Sequence, residues 1–195
     1  MSVSVQTADF DVGAEITALS TPLSTALSAG RDDVGAVASF VGLVRADGRV
    51  KEGGDGGSNP KVGDGGTATN VKNPTSDAGA TSVATSDVTS VAAMTLEHYP
   101  GMTERALADI VAEAQTRWPL RAVRVIHRVG RLLPGERIVF VGVAAGHRGD
   151  AFAACEFIMD YLKTRAPFWK KEETPQGARW VDARDSDDAA AARWA

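Results

Sequence analysis

The segment DYLKTRAPFWKKE concentrates cations around a proline and two aromatic residues. Lys163 and Lys170 are seven residues apart, which would place both on one face of an unbroken helix. Pro167 interrupts such a helix, so we expect Lys163 in its last turn and Lys170 on the segment that follows. The two ammonium groups would converge if Phe168 and Trp169 fold back as a buried anchor. Paired cations of this kind stabilise negative charge that develops on a substrate.

Spacing alone leaves a structural role open for each of these cations. Lys163 would suit the C-terminal end of a helix, and Lys170 and Lys171 would suit a solvated edge. At the other end of the same helix, His147 and Arg148 in GHRGD follow a strand and precede a helix N-terminus. That position is a natural site for a phosphate or a carboxylate. A loop histidine that only caps the helix is the alternative there.

The charge distribution favours a small anionic ligand or an acidic partner segment. The whole chain has a net charge of −4, which argues against a general binder of nucleic acids or anionic membranes. The segment 121–171, in contrast, carries ten Arg and Lys against four Asp and Glu, a net charge of +6. The N-terminal sequence resembles no signal peptide, and no apolar run is long enough to span a bilayer. We therefore expect a cytoplasmic protein.

One low-complexity segment interrupts an otherwise ordinary globular composition. The chain of 195 residues is long enough for one sizeable core, and we predict a single domain over 1–195. Residues 51–90 are rich in Gly, Ser, Thr, Asn and Asp and contain no aromatic residue. Such a composition does not offset the entropy lost on ordering, so we predict a flexible insertion that acts as a spacer. A lid and a docking tether are the alternatives.

The rest of the chain predicts an α+β fold. Apolar runs at 35–45 and 91–99 predict two strands joined by the insertion as an overgrown hairpin turn. Two further runs flank GRLLPGE and predict an antiparallel pair, with Pro134 and Gly135 in a type II turn. Two helices are expected between and after these strands. Their predicted N-caps are Thr103 and Asp150.

The predicted apolar faces of these helices follow a helical period. The members of the first face are Leu107, Ile110, Val111, Ala114 and Trp118. The members of the second face are Phe152, Cys155, Ile158 or Met159, and Leu162. Cys155, the single cysteine, is expected to be a packed thiol and not a persulfide carrier. One cysteine also excludes a disulfide framework and a cysteine-based zinc cluster, and we expect neither a metal nor a cofactor.

Several long motifs in order resemble a known family. These are FVGLVR, LEHYPGMTERAL, VIHRVGRLLPGE, AGHRGDAF and DYLKTRAPFWKKE followed by GARWV. Together they resemble the large, catalytic subunit of molybdopterin synthase, the MoaE family, over residues 35–194 apart from the insertion. The resemblance implies an α/β-hammerhead fold with an additional antiparallel β-sheet. The insertion is where this chain departs from the family pattern.

The resemblance also implies a reaction. Enzymes of this family convert cyclic pyranopterin monophosphate, or precursor Z, to molybdopterin by installing two sulfurs as a dithiolene. The sulfur would come from a small ubiquitin-like subunit, MoaD, as a thiocarboxylate on its C-terminal glycine. The family assembles as a heterotetramer around a homodimer of large subunits.

The family's functional positions are carried over where the motifs match. Lys163 is the principal catalytic candidate, and Lys170 is the second. His147 and Arg148 would bind the substrate phosphate. The remaining substrate-binding positions that the resemblance implies are Leu43, Val44, Arg45, Lys171 and Glu172. Lys163, if partly desolvated beside Lys170, would serve as a general base or acid.

Two other classes of function use the same basic residues. An RNA-binding module is disfavoured, because aromatic residues among the cations are few and no nucleic-acid motif is present. A catalytically idle scaffold for the tail of a ubiquitin-like sulfur carrier is harder to dismiss, since docking and catalysis would need the same cations. Turnover by variants of Lys163 separates the scaffold from the enzyme.

Overall fold

The computed structural model describes residues 2–20, 33–48, 89–181 and 185–195. The helices in this part of the chain are α1 (Val12–Ser20), α2 (Met102–Arg117), α3 (Arg148–Arg165) and α4 (Asp185–Ala192). The strands are β1 (Ser2–Gln6), β2 (Ala36–Leu43), β3 (Asp47–Gly48), β4 (Thr89–Ser90), β5 (Ala93–His98), β6 (Leu120–Arg128), β7 (Gly130–Leu132), β8 (Arg137–Ala145), β9 (Phe168–Thr174) and β10 (Gly177–Val181). None of these helices is long and apolar enough to cross a membrane.

The central sheet, here called the mixed sheet, has the strand order β1-β6-β8-β2. β1 pairs with β6 in parallel, whereas β6 with β8 and β8 with β2 are antiparallel. The predicted antiparallel pair around GRLLPGE is therefore confirmed. The predicted turn is also present, since Glu136 donates its N–H to the Leu133 carbonyl at 3.0 Å and Gly135 has a φ of 88°. Position i+2 of a type II turn requires this positive φ, which glycine adopts without strain.

A second sheet, here called the antiparallel sheet, has the order β10-β9-β5-β7. Every neighbouring pair in it is antiparallel. β7 lies between β6 and β8 in the chain, so the segment that turns from one strand of the mixed sheet to the next also supplies an edge strand here. Segregated helices and two four-stranded sheets, beside the short β3-β4 pair, make the fold α+β with an additional antiparallel sheet, as predicted.

The main core lies between the mixed sheet and the helices α2 and α3. The predicted face of α2 is confirmed by its buried residues Leu107, Ile110, Val111 and Ala114. The other face of the mixed sheet is covered by α1 and by Phe10, which precedes this helix and packs on Phe140 with ring centroids 6.0 Å apart. The core therefore fixes α3, which carries Lys163, against the middle of the sheet.

Both predicted N-caps are wrong. Gly101, with a φ of 82°, precedes α2, and Glu104 accepts a hydrogen bond from its N–H at 2.6 Å. Thr103 is instead fully buried inside the first turn. His147 is the N-cap of α3, and Asp150 lies in the first turn, where its carboxylate still favours the helix dipole.

Two predicted buried aromatic residues are exposed in the structure. Phe152 is 66% exposed, because α3 turns its alanines Ala151 and Ala154 toward the sheet instead. Trp169 is 50% exposed, because it alternates with the inward-facing residues of β9. Phe168 alone acts as the anchor of this segment.

The predicted hairpin around the insertion is only partly correct. β3 and β4 pair antiparallel next to it, with Asp47 opposite Ser90. The longer strands β2 and β5, however, belong to different sheets. Apart from residues 89 and 90, the predicted insertion 51–90 lies outside the described residues.

Candidate active site

The path of α3 decides which candidate residues lie near one another. β8 ends at Ala145 and α3 begins at Arg148, so the chain reverses within two residues. The thiol of Cys155, midway along α3, lies 3.8 Å from the Val141 carbonyl, midway along β8. The helix therefore runs back along the strand. Lys163, in its last turn, lies toward the end of the mixed sheet where β8 begins.

Arg45 lies at this same end of the sheet. β2 runs antiparallel to β8, with Ala36 opposite Ala145 and Leu43 opposite Arg137. The residues after β2 are therefore near the start of β8, where Val44 donates its N–H to the Glu136 carbonyl at 2.9 Å. Leu43 and Arg45 are exposed, whereas Val44 is buried. Leu43 and Arg45 can contact a ligand directly, whereas the buried Val44 side chain contributes only packing between them.

Lys170 is held by a buried carboxylate. The Glu172 side chain is 8% exposed and forms ion pairs with Lys170 at 2.8 Å and with Arg179 of β10 at 3.0 Å. Burial by itself raises the pKa of Glu172, but its hydrogen bonds to Lys170 and Arg179 outweigh burial and hold the pKa below its usual range. Glu172 is therefore ionised at neutral pH and fixes the position of the Lys170 ammonium.

The backbone register places this ion pair beside two buried apolar side chains of the neighbouring strand. Lys170 lies opposite Leu96, and Glu172 lies opposite Met94, on the neighbouring strand β5. Directly opposed residues of antiparallel strands share one face of the sheet. Met94 and Leu96 pack with Val44 in one apolar cluster. The segment after β2 and the Lys170 face of β9 therefore belong to the same region.

Lys171 faces the other way. Successive side chains of a strand alternate between faces, so Lys171 and Trp169 lie opposite to Lys170 and Glu172. The Lys171 ammonium lies 5.6 Å from the centroid of the Trp180 ring. The structure does not bring Lys171 to the face that Lys170 occupies.

Lys163 is engaged by the C-terminal helix. Its ammonium lies 3.2 Å from the carboxylate of Asp187 in α4, and its side chain is 49% exposed. The short helix α4 therefore packs close to the last turn of α3. Trp194 anchors it by packing edge-on to Trp118 and Phe157 and by donating its Nε1–H to Asp160 at 2.7 Å. About half of the Lys163 side chain is therefore removed from solvent, and its partner in this arrangement is the Asp187 carboxylate.

His147 and Arg148 lie at the opposite end of α3. Both are exposed, at the N-terminus of the helix, as predicted. Arg148 and Lys163 are separated by fifteen residues, or about 22 Å at 1.5 Å per residue. One small substrate cannot contact both ends of the same helix. The structure therefore divides the predicted site into a lysine end and an anion end.

The chemistry of the remaining candidates is limited. Cys155 is buried, as predicted, and burial raises the pKa of its thiol to about 11. The thiol is thus protonated and inaccessible at neutral pH. Within the described ranges there is no group of three or more His, Cys, Asp or Glu side chains that could hold a metal ion.

Sequence reasoning missed two residues that help to position the lysine ammonium groups. Arg179 reaches Glu172 only because β9 and β10 form a hairpin, with the two residues directly opposed. The run KKEE followed by GARW would have indicated that pairing if the segment had been read as a hairpin. Asp187 gave no comparable signal, since its pairing depends on how α4 packs on α3.

Comparison with known proteins supports the assignment made from the motifs. The profile of the family described as MoaE protein matches residues 69–165. A molybdopterin synthase catalytic subunit from Ralstonia nicotianae is 51% identical over 193 residues, 99% of this chain and 84% of that protein. A MoaE protein from Burkholderia ambifaria is 49% identical, with a TM-score of 0.63 over 98% of this chain and 96% of that structure.

A more distant structure shares the fold. It is a complex of subunits 1 and 2 of molybdopterin-converting factor from Helicobacter pylori, matched at 13% identity with a TM-score of 0.55 over 93% of this chain and 91% of that one. At such low identity the likeness concerns the fold alone. The identity and coverage of the Ralstonia relative are decisive for the family. The chain belongs to the MoaE family of molybdopterin synthase catalytic subunits and is an enzyme of molybdopterin biosynthesis.

Proposed function

We propose that this chain converts precursor Z to molybdopterin by transferring two sulfurs, with Lys163 and Lys170 as the catalytic residues. The observation that carries the proposal is the Lys170 ammonium, which buried Glu172 fixes at 2.8 Å at the end of the fold that also holds Lys163 and Arg45. Opening a cyclic phosphate and adding a thiocarboxylate both build negative charge. Fixed cations stabilise that charge without reorganising at the moment of reaction.

The two lysines have different roles in this proposal. Lys170 is held in place by the nearly buried Glu172 carboxylate and serves to position positive charge beside the substrate. Lys163 pairs with Asp187 across a partly exposed contact, which contributes little stability and is readily exchanged for an anionic substrate. Lys163 is therefore the group that is free to approach the reacting atoms and to transfer a proton. Arg45, with Leu43 and Val44 beside it, would bind the substrate.

The anion end of the site requires a second chain. His147 and Arg148 lie about 22 Å from Lys163 along the helix, too far for one substrate molecule. We propose that a homodimer places the His147 and Arg148 of one chain at the lysine end of the other, where they bind the substrate phosphate. The backbone N–H groups in the first turn of α3 would add to this anion site.

The sulfur must come from another protein. The Cys155 thiol is buried, with its pKa raised to about 11, and cannot act as an exposed carrier. We propose a MoaD-like small subunit whose C-terminal thiocarboxylate enters beside Lys163, in a cytoplasmic heterotetramer. The Helicobacter pylori structure, a complex of subunits 1 and 2 of molybdopterin-converting factor, supports a two-subunit arrangement. A basic cleft also suits an anionic tail.

The insertion is proposed to be a spacer within a single domain. The paired residues Asp47 and Ser90 stand at its base, so a tight turn can connect them directly. Turnover should survive this shortening. A large loss of turnover in a folded, shortened chain would indicate a lid or a docking tether instead.

The reaction is tested with the purified chain, precursor Z and the small subunit in thiocarboxylate form. The same subunit with an ordinary C-terminal carboxylate is the matched control. We expect a product with two added sulfurs, counted by mass spectrometry, only from the thiocarboxylate. Partner binding without product would support the idle-scaffold alternative instead.

The shared site is tested by mixing two inactive variants, Lys163→Ala and Arg148→Ala. If one chain supplies the lysine and the other the arginine, each mixed dimer contains one intact site. Random mixing of a two-fold dimer then restores about a quarter of the wild-type activity. No recovery from chains that demonstrably exchange would show that both residues act within one chain or not at all.

A further inference from the structure

The connection between α3 and β9 controls how the two lysines are placed. The helix ends at Arg165 and the strand begins at Phe168, so only Ala166 and Pro167 join them. Lys163 lies just before this connection and Lys170 just after it. Any change in its geometry moves one lysine relative to the other. The residues that hold the connection are therefore candidates for a role in the reaction.

Two histidine rings lie near Phe168, the first residue of β9. The ring of His127, from β6 of the mixed sheet, is nearly parallel to the Phe168 ring at 18°, with centroids 3.8 Å apart. The ring of His98, directly opposite Phe168 on β5, lies 6.5 Å away at 25°. Only His127 is close enough for face-to-face contact. This contact joins the mixed sheet to the strand that carries Lys170.

A hydroxyl group holds the same connection from the other side. Thr103, fully buried in α2, lies with its Oγ1 3.3 Å from the Pro167 carbonyl and 3.0 Å from the Tyr99 carbonyl. Its single hydroxyl proton is shared between these two acceptors. The connection is thus held between α2 and the mixed sheet.

The chemistry of His127 in this place is that of an aromatic ring. Its Nδ1 donates a hydrogen bond to the Arg128 carbonyl at 2.9 Å, because a carbonyl can only accept. Burial lowers the pKa of His127 to about 4, so the ring is neutral at neutral pH. A neutral, buried histidine of this kind cannot deliver charge to a substrate. Its contribution to the site is the stacking of its ring on that of Phe168.

We propose that His127 is a positioning residue, whose ring, stacked on Phe168, fixes the start of β9 and hence Lys170 relative to Lys163. This inference rests on the proposed function of the two lysines. A phenylalanine at position 127 preserves the stacked ring, whereas alanine removes it. If His127 only filled the core, the effect of replacing it on kcat would not depend on the presence of Lys170.

The test compares His127→Ala and His127→Phe in the full-length chain. Phe10→Ala is the matched control, since it removes a buried aromatic ring from the opposite face of the mixed sheet. Amide hydrogen exchange of β9 reports on position without requiring turnover. For His127→Ala we expect exchange near Phe168 to be about tenfold faster, and kcat with the thiocarboxylated partner to fall about tenfold with little change in KM. His127→Phe should restore both, and Phe10→Ala should change neither.

A second comparison shows whether His127 acts through Lys170. In a Lys170→Ala background, adding His127→Ala should cause no further loss of kcat, because the residue that it positions is already absent. Additive losses, unchanged exchange in β9, or an equal loss in Phe10→Ala would each overturn the proposal. If His127→Ala does not fold, His127→Leu, which fills the space without a planar ring, replaces it. Faster exchange in β9 together with an inactive wild type would leave the positioning intact and refute the proposed function.

Discussion

Replacing Glu172 with glutamine tests the arrangement around Lys170 most sharply. The substitution keeps the shape of a side chain that is 8% exposed but removes the charge shared by Lys170 and Arg179. A hydrogen bond to a charged group contributes roughly 1.5–3 kcal/mol. Lys170 and Arg179 are 34% and 43% exposed, so solvent screens them and glutamine retains part of the bonding. We expect the free energy of unfolding to fall by about 2 kcal/mol, or Tm by about 4–8 °C.

The pH dependence of this loss has a definite sign. The pKa of Glu172 is lowered in the folded chain from an ordinary value of 4.5, so its charge stabilises the fold above pH 4.5. The contribution disappears as the pH falls through the lower, folded value. The difference between wild type and Glu172→Gln should therefore be constant near neutral pH and shrink below pH 4.5. His127 is present in both chains, so its titration cancels in the difference.

Urea unfolding followed by tryptophan fluorescence measures this difference at each pH. Glu173→Gln is the matched control, because the neighbouring Glu173 pairs with Arg131 on the exposed face of the same strand. It should destabilise the chain much less than Glu172→Gln. Equal losses in the two variants, or a loss for Glu172→Gln that persists undiminished in acid, would refute the buried ion pair.

Three further outcomes follow from the described contacts. His127→Phe should resist acid better than wild type. The pKa of His127 is lowered from 6.5 to about 4 in the folded chain, so the free energy of unfolding of the wild type should fall by about 3 kcal/mol relative to that of the variant as the pH drops through this range, which urea unfolding would measure. Cys155 should react with iodoacetamide at neutral pH only after unfolding, as mass spectrometry would detect. Trp194→Ala should lower the free energy of unfolding by about 2 kcal/mol, since Trp194 packs on two aromatic rings and donates to Asp160. Early labelling of Cys155, or no change in the other two, would contradict these contacts.

The elements that sequence reasoning predicted well are those set by local chemistry. Pro134 and Gly135 have backbone preferences that only one turn type satisfies together, and the turn is present. The buried face of α2 follows from a single apolar stripe, because the opposite face is charged. In α3 the small residues Ala151 and Ala154 are compatible with either face, so the period alone could not decide that Phe152 is exposed.

The parts of the site that could not be predicted depend on distant contacts. The segment after Pro167 forms a strand, and its alternation separates Lys170 from Lys171, although the resemblance placed both in one pocket. The ion pair between Lys163 and Asp187 depends on the packing of α4 on α3. The length of α3 places His147 and Lys163 far apart, which a list of matching motifs does not reveal.

The most direct test of the central claim is turnover of precursor Z by Lys163→Ala with the thiocarboxylated small subunit. Arg165→Ala is the matched control, because it removes a partly exposed cation from the same end of α3. We predict product from the wild type and from Arg165→Ala, and none from Lys163→Ala, although all three bind the partner. Lys163→Arg refines the result, since near-normal turnover by that variant would reduce the lysine to a positional charge. Undiminished product from Lys163→Ala would contradict the account.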